Sequence, residues 1–331
     1  MEHITLAHGS GGKLSHQLIE SLFCRYLGNP YLEQLNDASI LPTSGRIAVS
    51  TDSFVISPLF FRGGDIGKLS VCGTVNDLAV SGAIPKFLTL GLILEEGLEM
   101  AVLERIIASL AATARQAQVQ IVCGDTKVVE RGNADKIFIN TTGIGYPRTG
   151  AEIGPQKVRP GDVILINGTM GDHGIAILSE REGLEFETPV TSDCAPLNSL
   201  IDQFFDQGIT CMRDPTRGGV GTTLNEIAQQ AGVGMILEEE ALPLRPEVAG
   251  ACDMLGLDPL HLANEGKVLV IVAPAAAATV LEKMRRHPLG AQAARIGTVQ
   301  AEDPGRLLLR TALGAKRLVG MLEGEHLPRI C

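Results

Sequence analysis

The sequence contains no tryptophan, and its aromatic residues amount to 4%. Packing must therefore come from small aliphatic side chains, while 38 glycines supply many tight backbone turns. Among the seven cysteines (Cys24, Cys72, Cys123, Cys194, Cys211, Cys252 and Cys331) there is no C-x-x-C pair, which excludes a zinc or iron–sulfur site of the usual local spacing. An excess of positive charge is missing too. With a formal net charge of −10 the chain has no general grip on a phosphate backbone, so no nucleic-acid partner is expected. The longest apolar stretch, from Val268 to Leu281, is broken by Pro274 and is too short to span a bilayer, so no membrane association is expected. The opening MEHITLAHGSGGK lacks a basic region followed by an apolar run, and a cytoplasmic protein without a signal peptide is the expectation.

What is present suits an enzyme that mixes helices and strands. At 331 residues the chain is about twice the usual domain length, and its 45% of apolar residues is ample for two cores. Leu14, Leu18, Ile19 and Leu22 predict an amphipathic helix from Lys13 to about Leu27. The pattern then predicts strand 47–53, helix 66–82, strand 86–95, helix 98–117, and strands 119–125 and 136–146. A Gly/Pro-rich stretch without period, from Tyr146 to Asp162, marks a domain boundary. Beyond it come strand 162–168, helices near 173–182, 196–207 and 217–231, and strands at MILEE, VLVIVA, ARIGTV and LLLR. The expected organisation is a glycine loop and helix over 1–36, one domain over 37–150, a second over 151–319, and a free tail over 320–331.

Several segments carry residue types suited to nucleotide chemistry. His8-Gly9-Ser10-Gly11-Gly12-Lys13 precedes a helix, where glycines let backbone N–H groups approach a phosphate. It is not a Walker A loop, and a plain glycine-rich helix start fits it as well. Asp52, Asp77, Asp125 and Asp214 stand at element ends, as expected either of carboxylates sharing Mg²⁺ with phosphates or of ordinary caps and turns. Asn76-Asp77 favours the former, since a polar pair in an apolar helix costs several kcal/mol unless something satisfies it, about 2–7 for an unpaired polar group. Lys127 shares a strand face with Asp125 and suits either oxyanion neutralisation or a surface position. Glu265, in LANEGKVLV, suits a general base or an idle loop carboxylate. Arg213-Asp214-Pro215-Thr216-Arg217-Gly218-Gly219 is compatible with a second phosphate cradle and with tight glycine packing at a helix start.

Cys331 is the last residue. It follows about a dozen residues that extended would reach about 40 Å, and an exposed terminal thiol is prone to oxidation unless it has work to do.

In order along the chain, HGSGGK, TDSFV, GTVNDLAVSGA, CGDTKVV, RDPTRGG, ANEGK and the terminal PRIC resemble the HypE family of hydrogenase maturation proteins. The central motifs are similar to those of a wider superfamily, which includes aminoimidazole ribonucleotide synthetase, selenophosphate synthetase and thiamine monophosphate kinase; the terminal Pro-Arg-Ile-Cys separates HypE from these. The resemblance implies an α+β, two-domain PurM-like fold whose N-terminal sheet forms a homodimer, with ATP between the domains and a flexible tail. It implies ATP-dependent dehydration of a carbamoyl group, placed on Cys331 by HypF, to a thiocyanate whose cyano group passes to iron on HypC–HypD. The residues then assigned to nucleotide are Gly11, Gly12, Lys13, Asp52, Asn76, Asp77, Asp125, Thr126, Arg213, Asp214, Gly218 and Gly219. Asp52, Asp77 and Asp125 are assigned to Mg²⁺, and Lys127 and Glu265 to catalysis beside Cys331. Two rival readings are a kinase or amidine-forming enzyme acting on a free small molecule, with Cys331 incidental, and a scaffold that only gathers assembly factors.

Overall fold

Apolar residues that alternate along the first-half strands produce a sheet with one dry face and one open face. The computed structural model describes residues 3–9, 13–32, 41–42, 45–150, 152–183, 190–322 and 329–331. Its first helix runs as α1 (Lys13–Leu18), a π-helical turn over Ile19–Cys24 and α2 (Arg25–Leu27), so the expected helix is present with its middle widened. Then come β1 (Ala48–Phe54), a small hairpin of β2 (Phe60–Phe61) and β3 (Gly64–Asp65), and α3 (Ile66–Val80). They are followed by β4 (Ala83–Glu95), α4 (Met100–Gln116), β5 (Gln120–Val129) and β6 (Ile137–Pro147). The sheet has the order β1-β6-β4-β5, with only β4 and β5 parallel, because α4 makes the crossover between them.

Leu88, Leu90, Leu92 and Leu94 of β4 are buried on the side covered by α3 and α4. Val49 and Ile93 stay exposed on the opposite side. Asp65 caps α3, its carboxylate accepting from the Gly67 and Lys68 N–H groups at 2.8 and 3.1 Å. Most of α3 is buried, since at its far end Ala79 and Val80 join the core of the second half. That accounts for the apolar stretch around Asn76 and Asp77.

The second half comprises β7 (Val163–Ile166), α5 (Asp172–Glu182), α6 (Asn198–Ile201), β8 (Ile209–Arg213), α7 (Gly219–Ala231) and β9 (Gly234–Glu238). It continues with α8 (Pro246–Leu255), β10 (Leu269–Val272), α9 (Ala277–Arg286), β11 (Ala294–Gln300), β12 (Leu307–Arg310) and β13 (Lys316–Val319). These strands form a sheet in the order β13-β12-β9-β11-β7-β10-β8, in which β9 and β12 pair parallel. Every residue of β7 and β10 is buried, with Ile164 and Ile166 packed into one core and Val163 and Leu165 into another. Covered on both faces, such strands read as continuous apolar runs.

Several elements depart from the sequence pattern, among them the β2–β3 hairpin and strand β8, which it did not mark. The helix expected over 196–207 is regular only at Asn198–Ile201 and then breaks into turns. The helices α8 and α9 were not anticipated. In α8 only Val248, Ala251 and Cys252 are buried, and in α9 only Val280 and Met284, too few apolar positions to mark a period.

Candidate active site

Alternation along β1 turns Ser50 and Asp52 toward α3, which brings Asp77 to meet them. Ser50 Oγ donates to Asp77 Oδ2 at 2.5 Å, and Thr74 Oγ1 donates to Asp52 Oδ2 at 3.3 Å. Burial, and then the adjacent Asp77, push Asp52 up to about 6. Asp214, at the end of β8, is pushed up to about 7 by burial and by the charges of Asp77 and Asp52. Glu265 is raised well above the usual carboxylate range by its burial, with Cys194, Asp193, Asp214 and Asp52 adding to the effect. Four sequence-predicted acids from both halves thus share one electrostatic neighbourhood. Arg217 favours the charged forms of Asp52 and Cys331, and Arg213 that of Asp214.

Cys331 is in this neighbourhood. Where a free tail was expected, the chain's last three residues are seated. The Val55 N–H donates to the Cys331 carbonyl oxygen at 3.1 Å and the Ser57 N–H to the Arg329 carbonyl at 3.2 Å, so the terminus runs antiparallel beside the segment after β1. Arg329 donates through Nε to the Val55 carbonyl at 2.8 Å and pairs with Asp135 at 2.7 Å. Arg181 Nη2 donates to the Arg329 carbonyl at 3.0 Å. His173 Nε2 lies 2.8 Å from the Ile330 carbonyl, and the Ile330 side chain is buried in the first-half core. Complete burial of such a side chain stabilises by about 1.5–3 kcal/mol. Burial first, then Glu265, push the Cys331 thiol up to about 12, so the seated sulfur is a protonated, quiet thiol.

The site also differs from expectation in its membership. Asp125 pairs with Gly91, and Lys127 with Ile93, on the open face of the sheet. Their side chains are 70% and 65% exposed and contact each other at 3.1 Å. Strand parity therefore sends both away from Asp52, Asp77 and Glu265, and the set Asp52, Asp77 and Asp125 is not assembled within one chain. Among the described residues no three His, Cys, Asp or Glu side chains converge closely enough to hold a metal ion. Thr126, paired with Leu92, takes the helix-side face. The Asp52–Asp77 pair still suits Mg²⁺, since a cation would offset the crowding that raises Asp52, and Mg²⁺ commonly uses one or two carboxylates together with phosphates and water.

Asn76 is satisfied by protein. Its Nδ2 donates to the carbonyls of Ala195 and Glu265 at 3.1 and 3.3 Å, and its Oδ1 accepts from the Leu197 N–H at 2.8 Å. The expectation that something must satisfy it holds, but the partner is the second half of the chain rather than a nucleotide. Gly218 and Gly219 adopt φ of +77° and +63°, and a side chain at Gly219 would meet the Leu262 and Leu260 carbonyls at 2.5 and 2.6 Å. Turn geometry and close packing account for both glycines. Arg213 is turned onto Glu226 of α7 at 3.3 Å. Gly11 and Gly12 lie outside the described residues, and Lys13 opens α1.

Sequence reasoning missed Asp193, which is buried, lies beside Glu265, and is held below the usual carboxylate range by Lys267 and His173 despite its burial. It also missed His173. The signal for Asp193 was a charge within the apolar SDCAPL segment; for His173, within GDHGIAIL.

Comparison with known proteins identifies the family. Residues 35–146 match the family "AIR synthase related protein, N-terminal domain" and residues 159–310 its C-terminal domain. The chain is 52% identical, over 99% of its length and 96% of the relative's, to carbamoyl dehydratase HypE of Bradyrhizobium diazoefficiens. It superposes with a TM-score of 0.95 and 51% identity, over 99% of both chains, on hydrogenase maturation protein HypE in complex with ATP. A HypE–HypF complex matches with a TM-score of 0.82 and 48% identity, covering 92% of this chain and 99% of that one. The chain belongs to the HypE family of hydrogenase maturation proteins, with the two-domain PurM-like fold of the AIR synthase related proteins.

Proposed function

We propose that this chain is an ATP-dependent carbamoyl dehydratase that converts a carboxamide on its own Cys331 sulfur into a thiocyanate. The observation that carries this reading is the seat of Cys331, packed against the core beside Glu265 and near Asp52 and Arg217. A thiol held there by its own chain sits among these acids, which counts against a free small-molecule substrate. It has high effective concentration without a separate substrate pocket.

The chemistry balances as follows. The carboxamide oxygen takes the γ-phosphoryl group of ATP and ADP leaves. The C–O bond then breaks, phosphate departs with that oxygen, and both N–H protons are lost as the C≡N bond forms. Glu265, whose charge acts on the Cys331 sulfur, would accept one proton from the amide nitrogen, and the departing phosphate would take the other. Arg217 opposes negative charge near the sulfur. Asp52 and Asp77 would hold Mg²⁺, whose charge neutralises the triphosphate when bound. Lys127 and Asp125 stand on the open sheet face, so in this reading they act at the interface where a second copy completes a homodimer.

The finished thiocyanate must reach iron on another protein. We assign loading to a HypF-type carbamoyltransferase, in keeping with the solved HypE–HypF complex, and cyanide acceptance to HypC–HypD in the cytoplasm. Both transfers require the terminal residues to leave their seat. No helix among the described residues is long and apolar enough to cross a membrane.

The test is the ratio of ADP released to thiocyanate formed when the purified chain is supplied with HypF, carbamoyl phosphate and Mg-ATP. One ADP per thiocyanate beyond HypF's own consumption, abolished by Cys331→Ala, supports the reading. Equal ADP release from the Cys331→Ala variant refutes it.

A further inference from the structure

The turn Ser192-Asp193-Cys194, between α5 and α6, touches both partners of the proposed reaction. Asp193 Oδ1 accepts from the Glu265 N–H at 3.1 Å, while Oδ2 accepts from the Gly266 N–H at 3.2 Å and from Lys267 Nζ at 2.9 Å. The two segments are pressed so close that a side chain at Gly266 would stand 1.8 Å from the Asp193 carbonyl oxygen. One carboxylate thus fixes three consecutive residues of the Glu265 loop.

Ser192 reaches in the other direction. A carbonyl only accepts, so His173 Nε2 carries the hydrogen given to Ile330, and Nδ1 accepts from Ser192 Oγ at 2.8 Å. Ser192 Oγ in turn accepts from the Cys194 N–H at 3.1 Å, and the Ser192 N–H is anchored on the Arg62 carbonyl at 2.9 Å. The His173 ring is completely buried, edge-on to Phe61 with 5.5 Å between ring centres, and burial keeps it neutral by lowering its proton affinity. A buried neutral imidazole of fixed tautomer is a rigid spacer between the turn and the residue before Cys331.

We infer that His173 and Asp193 are positioning residues that set the Cys331-borne carboxamide against Glu265, with the 192–194 turn as their common fulcrum. This rests on the dehydratase reading and deepens it. His173 fixes where the sulfur arm lies, and Asp193 fixes where the base lies. Because both hang on one turn, the distance between sulfur and carboxyl is set locally and not by the relative placement of two independent loops. Neither residue touches the reacting atoms.

The experiment compares the wild type with His173→Phe, His173→Gln, Ser192→Ala and Asp193→Asn in the full-length chain, using two readouts. The first is the rate at which iodoacetamide alkylates Cys331, followed by peptide mass. The second is the single-turnover conversion of carbamoyl to cyano on Cys331 over a range of ATP concentrations. His173→Phe is expected to speed alkylation about tenfold, the loss of roughly one good hydrogen bond, and to slow conversion. His173→Gln, whose amide can still donate to Ile330, restores most of both. Asp193→Asn slows conversion about tenfold at saturating ATP, with the KM for ATP and the alkylation rate near wild type. Ser192→Ala leaves the apolar contacts intact and shows the His173→Phe pattern more weakly, which serves if the larger change fails to fold.

Alkylation and conversion rates equal to wild type in His173→Phe and Ser192→Ala overturn the arm half of the inference. A wild-type rate in Asp193→Asn overturns the base half. If the wild type itself converts nothing, the dehydratase reading falls instead, and alkylation alone then judges the arm.

Discussion

The side-chain amide of Asn76, on α3 in the first half, donates to the backbone carbonyl of Glu265 in the second half at 3.3 Å, while its oxygen accepts from Leu197. Glu265 is therefore gripped from two sides, by Asn76 at its carbonyl and by Asp193 at its N–H.

Asn76→Ala strands the Ala195 carbonyl and the Leu197 N–H in a buried place and leaves the Glu265 carbonyl only the Ala195 N–H at 3.5 Å. Each unsatisfied group costs about 1–3 kcal/mol, so a loss of a few kcal/mol in denaturant unfolding is expected, with little change in ATP affinity. Weaker ATP binding at unchanged stability would return Asn76 to the nucleotide.

Asp214 and Asp52 bind protons more tightly in the folded chain, at about 7 and about 6, than the ordinary carboxylate. Their contribution to stability is complete below about pH 4 and is lost as pH rises through these values. Asp214→Asn should thus stabilise the metal-free protein relative to wild type at pH 8, and by clearly less at pH 5, in urea unfolding. A variant less stable than wild type at pH 8 would contradict the carboxylate crowding described above.

In the proposed reading Mg²⁺ would bind at Asp52 and Asp77, where it would displace the proton that burial and the neighbouring charge hold on Asp52 up to about pH 6. Mg-ATP should raise Tm more at pH 8 than at pH 5, and Asp52→Asn should remove most of that difference. The same Tm gain at both pH values would speak against a cation between these carboxylates.

Lys127 and Asp125 form an exposed pair of the kind that is worth little to an isolated chain, about 0–1 kcal/mol. Lys127→Ala should leave urea unfolding nearly unchanged while lowering cyano formation at least about tenfold. Unchanged turnover in a dimer confirmed by light scattering would remove Lys127 from the chemistry.

Which parts of the site could be read from sequence follows from what each depends on. The Asp125–Lys127 spacing placed the two on one strand face, but the parallel pairing of β5 with β4 decides which face that is, and pairing is not written in a single strand's alternation. The polar Asn76 announced a partner through its cost in an apolar helix; the partner lies 189 positions away in the chain for Glu265, beyond any local pattern. Cys331 was conspicuous as the last residue, whereas its seat depends on Val55, His173 and Arg181, scattered over three segments. The fold class was more legible because α4 and α7 keep an apolar stripe at helical spacing, β6 alternates, and β7 and β10 are continuous apolar runs. The short helices α8 and α9, each burying two or three side chains, were not.

The seated Cys331 stands at the centre of the functional account, and intact mass spectrometry tests it most directly. The chain is incubated with HypF and carbamoyl phosphate, with and without Mg-ATP available to the loaded chain, and the adduct is located by peptide fragmentation. The account predicts a carbamoyl group on Cys331 that loses one water only when ATP is present, and that persists in Glu265→Gln. An adduct on another cysteine, or one on Cys331 whose mass ATP does not change, would contradict it.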